Sequence, residues 1–158
     1  MSILAKLSLK KSRAFLAFLA FAALPLAAQS NQILDQLLDE QQARFGDVVY
    51  MTLAAAKVVP DTATVAQALD ALQAQGWKVR VLPADAPIPL GDYSYILMKA
   101  FRLSGGVLYS LFPGPRYACR ELGYLKVIPS DARPLRSVSG QEAVRILGNI
   151  MALRGDKT

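Results

Sequence analysis

Apolar residues recur at the three- and four-residue spacing of a helix along much of this chain, and proline-containing stretches separate the segments. The spacing predicts six helices, over residues 32–43, 46–57, 63–75, 91–103, 116–124 and 140–153. The second is apolar on nearly every side, and its β-branched Val48, Val49 and Thr52 are also compatible with a strand. Its length and the alanine run at 54–56 favour a buried helix.

Residues between the predicted helices are rich in proline and glycine. The stretches 77–89 and 126–137 are predicted to be extended loops. Residues 104–115 fit a short strand, a single helical turn or an ordered apolar loop, and Pro115 suits the first turn of the next helix. The chain is therefore predicted to be mainly α, with two or three degenerate helix–loop–helix repeats in one small domain and at most very short strands.

The N-terminal residues have the pattern of an export signal. Lys6, Lys10, Lys11 and Arg13 precede an uncharged run, 14–28, that is shorter than the roughly 20 residues of a membrane-spanning helix. Pro25 interrupts the run near its end, and small residues follow. We expect a signal peptide over 1–28 and an exported protein in the periplasm or cell envelope. The alternative is an uncleaved membrane anchor.

The charge of the chain changes once this segment is set aside. There are 18 basic and 12 acidic residues, a net charge of +6, and four of the basic residues lie in the predicted signal. The high isoelectric point is therefore poor evidence for nucleic-acid binding. In the remainder, residues 29–93 are net acidic and 94–158 net basic. A basic half favours an anionic partner such as a wall polymer or an acidic envelope protein, and the alternative is a solvated basic surface.

Composition also excludes several kinds of site. The chain has no histidine, so it has neither a Ser-His-Asp triad nor a histidine metal ligand. Its single cysteine, Cys119, excludes an intrachain disulfide and a cysteine-cluster metal site, and is expected to be a buried apolar residue. We predict no catalytic residue, no metal and no cofactor.

A short motif recurs at the start of three predicted helices. Leu90-Gly91-Asp92 resembles Phe45-Gly46-Asp47, 45 residues earlier, and Glu142 lies 50 residues beyond Asp92. Each acid opens an apolar helix, and the helices of Asp92 and Glu142 follow proline-containing loops. Units of this kind stack to share one core, because a single unit cannot bury its own apolar face.

This pattern resembles the S-layer homology domain, an envelope-anchoring module of tandem helix–loop–helix repeats. The matching residues are Ile88-Pro89-Leu90-Gly91-Asp92 and Val138-Ser139-Gly140-Gln141-Glu142, which stand where that family has Ile-Thr-Arg-Ala-Glu. The hydrophobic and acidic ends match, whereas the Thr and Arg are absent in both copies. The resemblance implies a repeat domain over 45–153, preceded by a separate helix at 29–44 and followed by a disordered tail at 154–158. In that family, the motif belongs to a surface that binds anionic wall polymer.

Arginines in and near the predicted helix 116–124 form the candidate binding site. Arg116 and Arg120 are four residues apart and share one helix face, where their like charges repel unless an anion lies between them. Guanidinium groups suit phosphate and carboxylate. The predicted binding residues are Arg116, Tyr117, Arg120, Lys126, Arg133 and Arg136. Alternatively, Glu121 and acids of the N-terminal half pair with these arginines and hold the repeats together.

Two further features complete the set of candidates. Leu108, Tyr109, Leu111 and Phe112 form a candidate apolar interface. Ser139 and Glu142 fit a capping box, a structural role that we prefer to a catalytic one.

The sequence as a whole predicts a non-catalytic module of the cell envelope. It would bind an anionic wall polymer or an envelope protein. A second hypothesis is a subunit of a larger envelope machine that binds through residues 103–115. A third is an envelope hydrolase that uses Asp92 and Glu142, since without histidine its acid–base chemistry would need such carboxylates.

Overall fold

The computed structural model describes residues 24–155, and the fold over that range is mainly α-helical. Its seven helices are α1 (Leu24–Asp39), α2 (Phe45–Ala55), α3 (Val65–Ala74), α4 (Leu90–Ala100), α5 (Val107–Leu111), α6 (Pro115–Tyr124) and α7 (Gly140–Gly155). None of the helices in this range is long and apolar enough to cross a membrane. Most of the predicted signal peptide, 1–23, and residues 156–158 lie outside the described residues.

The mainly-α prediction is confirmed, and most of the predicted helices lie where the apolar spacing put them. The 46–57 stretch is a helix, and its β-branched residues are buried in the core. Residues 104–115 contain one short helix, α5, rather than a strand. The extended loops form no strand in the described part of the chain, only isolated antiparallel bridges between Arg44 and Pro87 and between Pro89 and Ser137.

Local chemistry explains several helix boundaries. At the start of α3, the Thr64 hydroxyl accepts a hydrogen bond from the Gln67 amide, and the Gln67 side chain accepts one from the Thr64 amide. This reciprocal pair satisfies two amides that a helix start leaves free. Gly76 follows α3 with a φ of 63°, a conformation that glycine adopts at little cost. Pro115 is the first residue of α6, as predicted.

Three fully buried residues hold the loops together at the centre of the molecule. The Ala43 amide donates to the Val138 carbonyl (2.7 Å), the Val138 amide to the Ile88 carbonyl (3.2 Å), and the Ile88 amide to the Ala43 carbonyl (3.0 Å). Each residue donates once and accepts once, so the three hydrogen bonds form a closed cycle, which we call the central ring. An unpaired buried amide would destabilise the fold, and the cycle gives each of these three amides an acceptor.

The three helices that follow these residues begin beside the central ring. The Phe45 amide donates to the Ala86 carbonyl (2.8 Å), the Leu90 amide to the Arg136 carbonyl (2.8 Å), and the Gly140 amide to the Glu40 carbonyl (2.9 Å). Main-chain carbonyls of neighbouring loops therefore satisfy amides that the first turns of α2, α4 and α7 leave free. The repeated motif of the sequence thus corresponds to a repeated backbone arrangement.

Helix α1 belongs to this same core and is not a separate N-terminal element. It packs against α7 and α2, and Leu37 is fully buried. Its described part starts at Leu24, before the predicted start at residue 32, and the predicted end of the signal peptide at Ala28 lies within it. Leu26, Ala27 and Ala28 are good helix formers, which accounts for the earlier start. The helix also ends at Asp39, earlier than predicted. Residues 154–155, expected in the tail, continue α7.

The buried tyrosine of α4 connects the helices that surround the core. The Tyr93 side chain is fully buried, and its hydroxyl donates to the Ala143 carbonyl of α7 at 2.8 Å. Burial raises the pKa of Tyr93 above its usual range, and a hydrogen bond with Thr52 of α2 partly opposes that rise. The Tyr93 hydroxyl therefore links α4 to α7.

The close approach of α1 to α7 generates a stability prediction. A Cβ atom on Gly140 would overlap the Leu37 carbonyl, whereas one on Gly148, in the same helix, meets nothing within 4 Å. We expect Gly140→Ala to lower the free energy of unfolding by at least about 2 kcal/mol, because the backbones must separate.

Gly148→Ala is the matched control, and we expect it to raise the free energy of unfolding by about 0.5–1 kcal/mol through helix propensity alone. Urea unfolding followed by circular dichroism measures both. Equal stabilities for the two variants would contradict the contact between Leu37 and Gly140.

Candidate functional site

Each of the three acids in the repeated motif faces an arginine. The distances are 3.0 Å between Arg44 Nη2 and Asp47 Oδ2, 2.6 Å between Arg80 Nη2 and Asp92 Oδ2, and 2.6 and 2.7 Å for the two hydrogen bonds from Arg136 to Glu142. Every acid is the third residue of its helix, where the positive end of the helix dipole also favours a carboxylate. Arg136 thus pairs with an acid six residues away in its own half of the chain, and not with Glu121 or an acid of the N-terminal half.

The surroundings of these acids differ. Two hydrogen bonds from Arg136 lower the pKa of Glu142 below its usual value. Burial raises the pKa of Asp47, although Arg44 opposes the rise, and Asp47 Oδ2 makes an ion pair without a well-aligned hydrogen bond.

The capping box predicted at Ser139 is half formed. The Ser139 hydroxyl accepts from the Glu142 amide (3.2 Å), but the Glu142 carboxylate binds Arg136 instead of returning to Ser139.

A groove of about 580 Å³ lies where α4 and α6 begin, and we call it the arginine groove. Its lining residues are Arg80, Pro89, Asp92, Pro115, Arg116, Pro134 and Leu135. Gly91 allows these walls to come together, since a Cβ there would lie 3.0–3.2 Å from atoms of Pro134 and Pro115. Asp92 is buried beneath Arg80, whereas Arg116 and Leu135 are exposed to solvent.

The structure brings only part of the predicted binding set to this groove. Arg116 lines it, and Arg133 is exposed beside Pro134, which forms one wall. The Arg136 side chain is bound to Glu142, although the Arg136 carbonyl supports the start of α4.

The other predicted residues lie elsewhere. Arg120 donates to the Tyr124 hydroxyl (3.0 Å) on its own helix and does not line the groove. Tyr117 is half-buried, with its ring 6.5 Å from the Phe112 ring. Lys126 lies on a separate shallow cleft of about 530 Å³ with Arg145 and Asn149.

Arg80 is the groove residue that the sequence reasoning missed. It lies in the proline-containing stretch 77–89 before α4, for which the sequence predicted only an extended loop. The signal that could have found it is the acid at the third position of each helix. Asp92 is almost fully covered, so it needs a positive partner, and the nearest cation before the loop prolines is Arg80.

The candidate apolar interface divides into exposed and buried side chains. Leu108, Leu111 and Phe112 are exposed, the last two by more than 60% of their surface. Tyr109 is instead buried, with its ring edge-on to Tyr95 at 6.3 Å. Its hydroxyl has no hydrogen-bond partner among the described residues, and burial raises its pKa to about 12.

Two kinds of reactive site, a reactive thiol and a metal-binding cluster, were considered among the described residues. Cys119 is buried as expected, and burial raises the pKa of its thiol. Within 24–155, no group of three or more cysteine and acidic side chains could hold a metal ion.

Comparison of the chain with protein-family models, with curated proteins and with solved structures finds no match.

The Arg136–Glu142 pair generates a prediction about acid stability. Because the folded-state pKa of Glu142 is lowered, its contribution is present above the unfolded pKa, near 4.5, and is lost as the pH falls through the folded value. At pH 7 we expect Glu142→Gln to lower the free energy of unfolding by about 1 kcal/mol. The difference from the unsubstituted protein should shrink below pH 4.5.

Asp61→Asn is the control for this pH series, because Asp61 and its partner Lys57 are both largely exposed. We expect its stability to follow that of the unsubstituted protein at every pH, since exposed pairs contribute little. Chemical unfolding between pH 3 and pH 7 measures all three. A constant gap for Glu142→Gln across that range would contradict the prediction.

The two buried tyrosines generate a paired prediction. Tyr93→Phe removes a hydroxyl that donates to Ala143, so it should lower the free energy of unfolding by about 1 kcal/mol. Tyr109→Phe removes an unpartnered hydroxyl, so stability should stay equal or rise. Thermal unfolding measures both, and a larger loss for Tyr109→Phe would overturn this assignment.

Proposed function

We propose that this protein is a non-catalytic binding module of the cell envelope, and that the arginine groove holds an anionic wall polymer. The observation that carries the proposal is the pair of arginines on one groove. Arg80 is neutralised by Asp92, whereas no carboxylate of the described chain lies within ion-pair distance of Arg116. The groove therefore has a positive charge available for a ligand.

The shape and chemistry of the groove favour a polymer segment. Three prolines and Leu135 give it apolar walls, and the guanidinium of Arg116 can donate two parallel hydrogen bonds to one phosphate or carboxylate. Apolar walls suit the flat faces of sugar rings, and the Arg116 guanidinium suits an acidic substituent on the polymer. The exposed Arg133 beside Pro134 extends the positive surface along the same loop.

The ion pairs favour binding over the hydrolase hypothesis. Asp92 and Glu142, the carboxylates considered for acid–base chemistry, both accept hydrogen bonds from arginines. The lowered pKa of Glu142 keeps it ionised at neutral pH, where a general acid needs a proton to donate.

The cellular location in this proposal comes from the sequence. The basic and apolar pattern of residues 1–28 supports export. The proposed kinship with the S-layer homology domain, whose repeats anchor proteins to the envelope, rests on the repeated sequence motif. The departure of both motif copies from that family means that the ligand contacts proposed here rest on Arg116 and Arg80 instead.

Co-sedimentation with purified cell-wall sacculi tests the proposal. We expect the protein to sediment at low salt and to be released as ionic strength rises, because exposed charges are screened. Arg116→Gln should weaken binding by at least fivefold. Arg120→Gln, on the same helix but outside the groove, should bind as the unsubstituted protein does.

Two results would overturn the polymer proposal. One is the absence of sedimentation at any salt concentration, and the other is equal weakening by Arg116→Gln and Arg120→Gln. Circular dichroism of each variant establishes that the fold is intact before binding is compared.

The exposed side chains of α5 favour a second candidate, a subunit that binds another envelope protein. Leu111 and Phe112 are adjacent, apolar and mostly exposed. Such an interface would persist or strengthen with salt. Leu111→Ser combined with Phe112→Ser would then abolish binding to an isolated envelope fraction while leaving any binding to purified sacculi unchanged.

A further inference from the structure

A second cleft, of about 900 Å³, lies at the end of the molecule where α2, α4 and α7 finish, away from the central ring. We call it the distal cleft. Its basic lining residues are Lys57, Lys99, Arg102 and Arg154, and none of its lining residues in the described chain is acidic. Four cations from three helix ends therefore line one cavity, and one of them, Lys57, also forms an exposed ion pair with Asp61 at 3.3 Å.

Two of these cations lie at equivalent places in the repeat. Lys57 follows α2 and Arg102 follows α4, 45 residues later, and their φ angles are 59° and 51°. This left-handed backbone favours glycine and costs roughly 1 kcal/mol or more for other residues. Long basic side chains occupy both positions. Helix carbonyls at these ends offset part of the repulsion among the cations, and an anionic ligand would offset more.

Beside these cations, apolar side chains and a tryptophan also line the distal cleft, and we call this part of the lining its aromatic floor. Trp77, Val58, Leu103, Leu125 and Leu153 contribute to its lining. Lys99 lies over the Tyr95 ring at 5.5 Å, and Arg154 lies over the Phe101 ring at 5.7 Å, contacts that hold cationic heads beside aromatic faces. The cavity thus combines positive charge with an apolar surface, which suits an amphiphilic anion.

The chain before Leu24 joins the domain at this same end. Helix α1 finishes beside Gly140, close to the central ring, and its residues Ile33 and Leu34 line a small cleft with Ala54 and Asp61, near the end of α2. Leu24 lies nine residues before Ile33, roughly 13 Å further from the ring at the rise of an α-helix. The basic and apolar N-terminal segment therefore connects to the side that carries the distal cleft.

We propose that the distal cleft binds the phosphate headgroup of an anionic phospholipid. Lys57 and Arg102 bind the phosphate, and the aromatic floor contacts the glycerol and the first methylenes of the acyl chains. This end of the domain then faces a membrane, and the arginine groove, near the helix starts, faces away from it. The lipid site does not depend on the function proposed for the groove.

Trp77 makes the proposal directly measurable, because it is the single tryptophan of the chain and lines the distal cleft. The ligand is dihexanoyl phosphatidylglycerol, kept below its micelle concentration, and the full chain is titrated at low salt. We expect a saturable change in Trp77 emission that weakens as salt is added. Dihexanoyl phosphatidylcholine, with no net charge, should bind at least tenfold more weakly.

The double variant Lys57→Gly with Arg102→Gly tests the two cations. Glycine suits the left-handed backbone, so the fold should be kept or stabilised, and thermal unfolding verifies this. We expect at least tenfold weaker binding of phosphatidylglycerol. Lys126→Gly is the matched control, with the same charge and a φ of 57° but a place outside the distal cleft.

Several results would overturn the proposal. They are no saturable response to phosphatidylglycerol, an equal response to phosphatidylcholine, or unchanged binding by the folded double variant. Inorganic phosphate is the final competitor tested, because it carries the charge of the headgroup but has no apolar part. If it displaces the lipid at equal or lower concentration, the site recognises free phosphate and the lipid assignment is wrong.

Discussion

Three main-chain hydrogen bonds among Ala43, Ile88 and Val138 determine how the rest of this molecule is arranged. Each residue is fully buried, so its amide must find a partner inside the protein. The cycle gives every amide one acceptor and places three loops against each other. Because α2, α4 and α7 begin two residues after the ring residues, the ring also fixes where these helices start.

Both candidate sites follow from this arrangement. The arginine groove lies near the helix starts, and the loops before α4 and α7 contribute Arg80, Pro134 and Leu135 to its lining. The distal cleft lies where the helices finish, and the cations that follow α2 and α4 meet there. One end of the fold therefore presents arginines against proline walls, and the other presents cations above aromatic rings.

Sequence patterns predicted the helices better than the contacts between them. Apolar spacing is a local signal, so α2, α4, α6 and α7 were found with small errors at their ends. The partners of Asp92 and Glu142 depend on which loop lies beside each helix, and that is set by the ring. Arg80 was therefore missed, and the Ser139–Glu142 capping box was predicted where the carboxylate prefers Arg136. The packing of α1 against α7 is also a contact between distant parts of the chain, so local patterns did not predict it.

The hydrogen bond between Ala43 and Val138 joins residues about 95 positions apart, and forming it has a large loop-closure entropy. Contacts this distant in sequence slow folding, because entropy is lost before most of the native contacts form. The ring cannot close until the segment before α7 has been synthesised. Chains synthesised only as far as the loop before Val138 therefore lack two of the three hydrogen bonds of the ring.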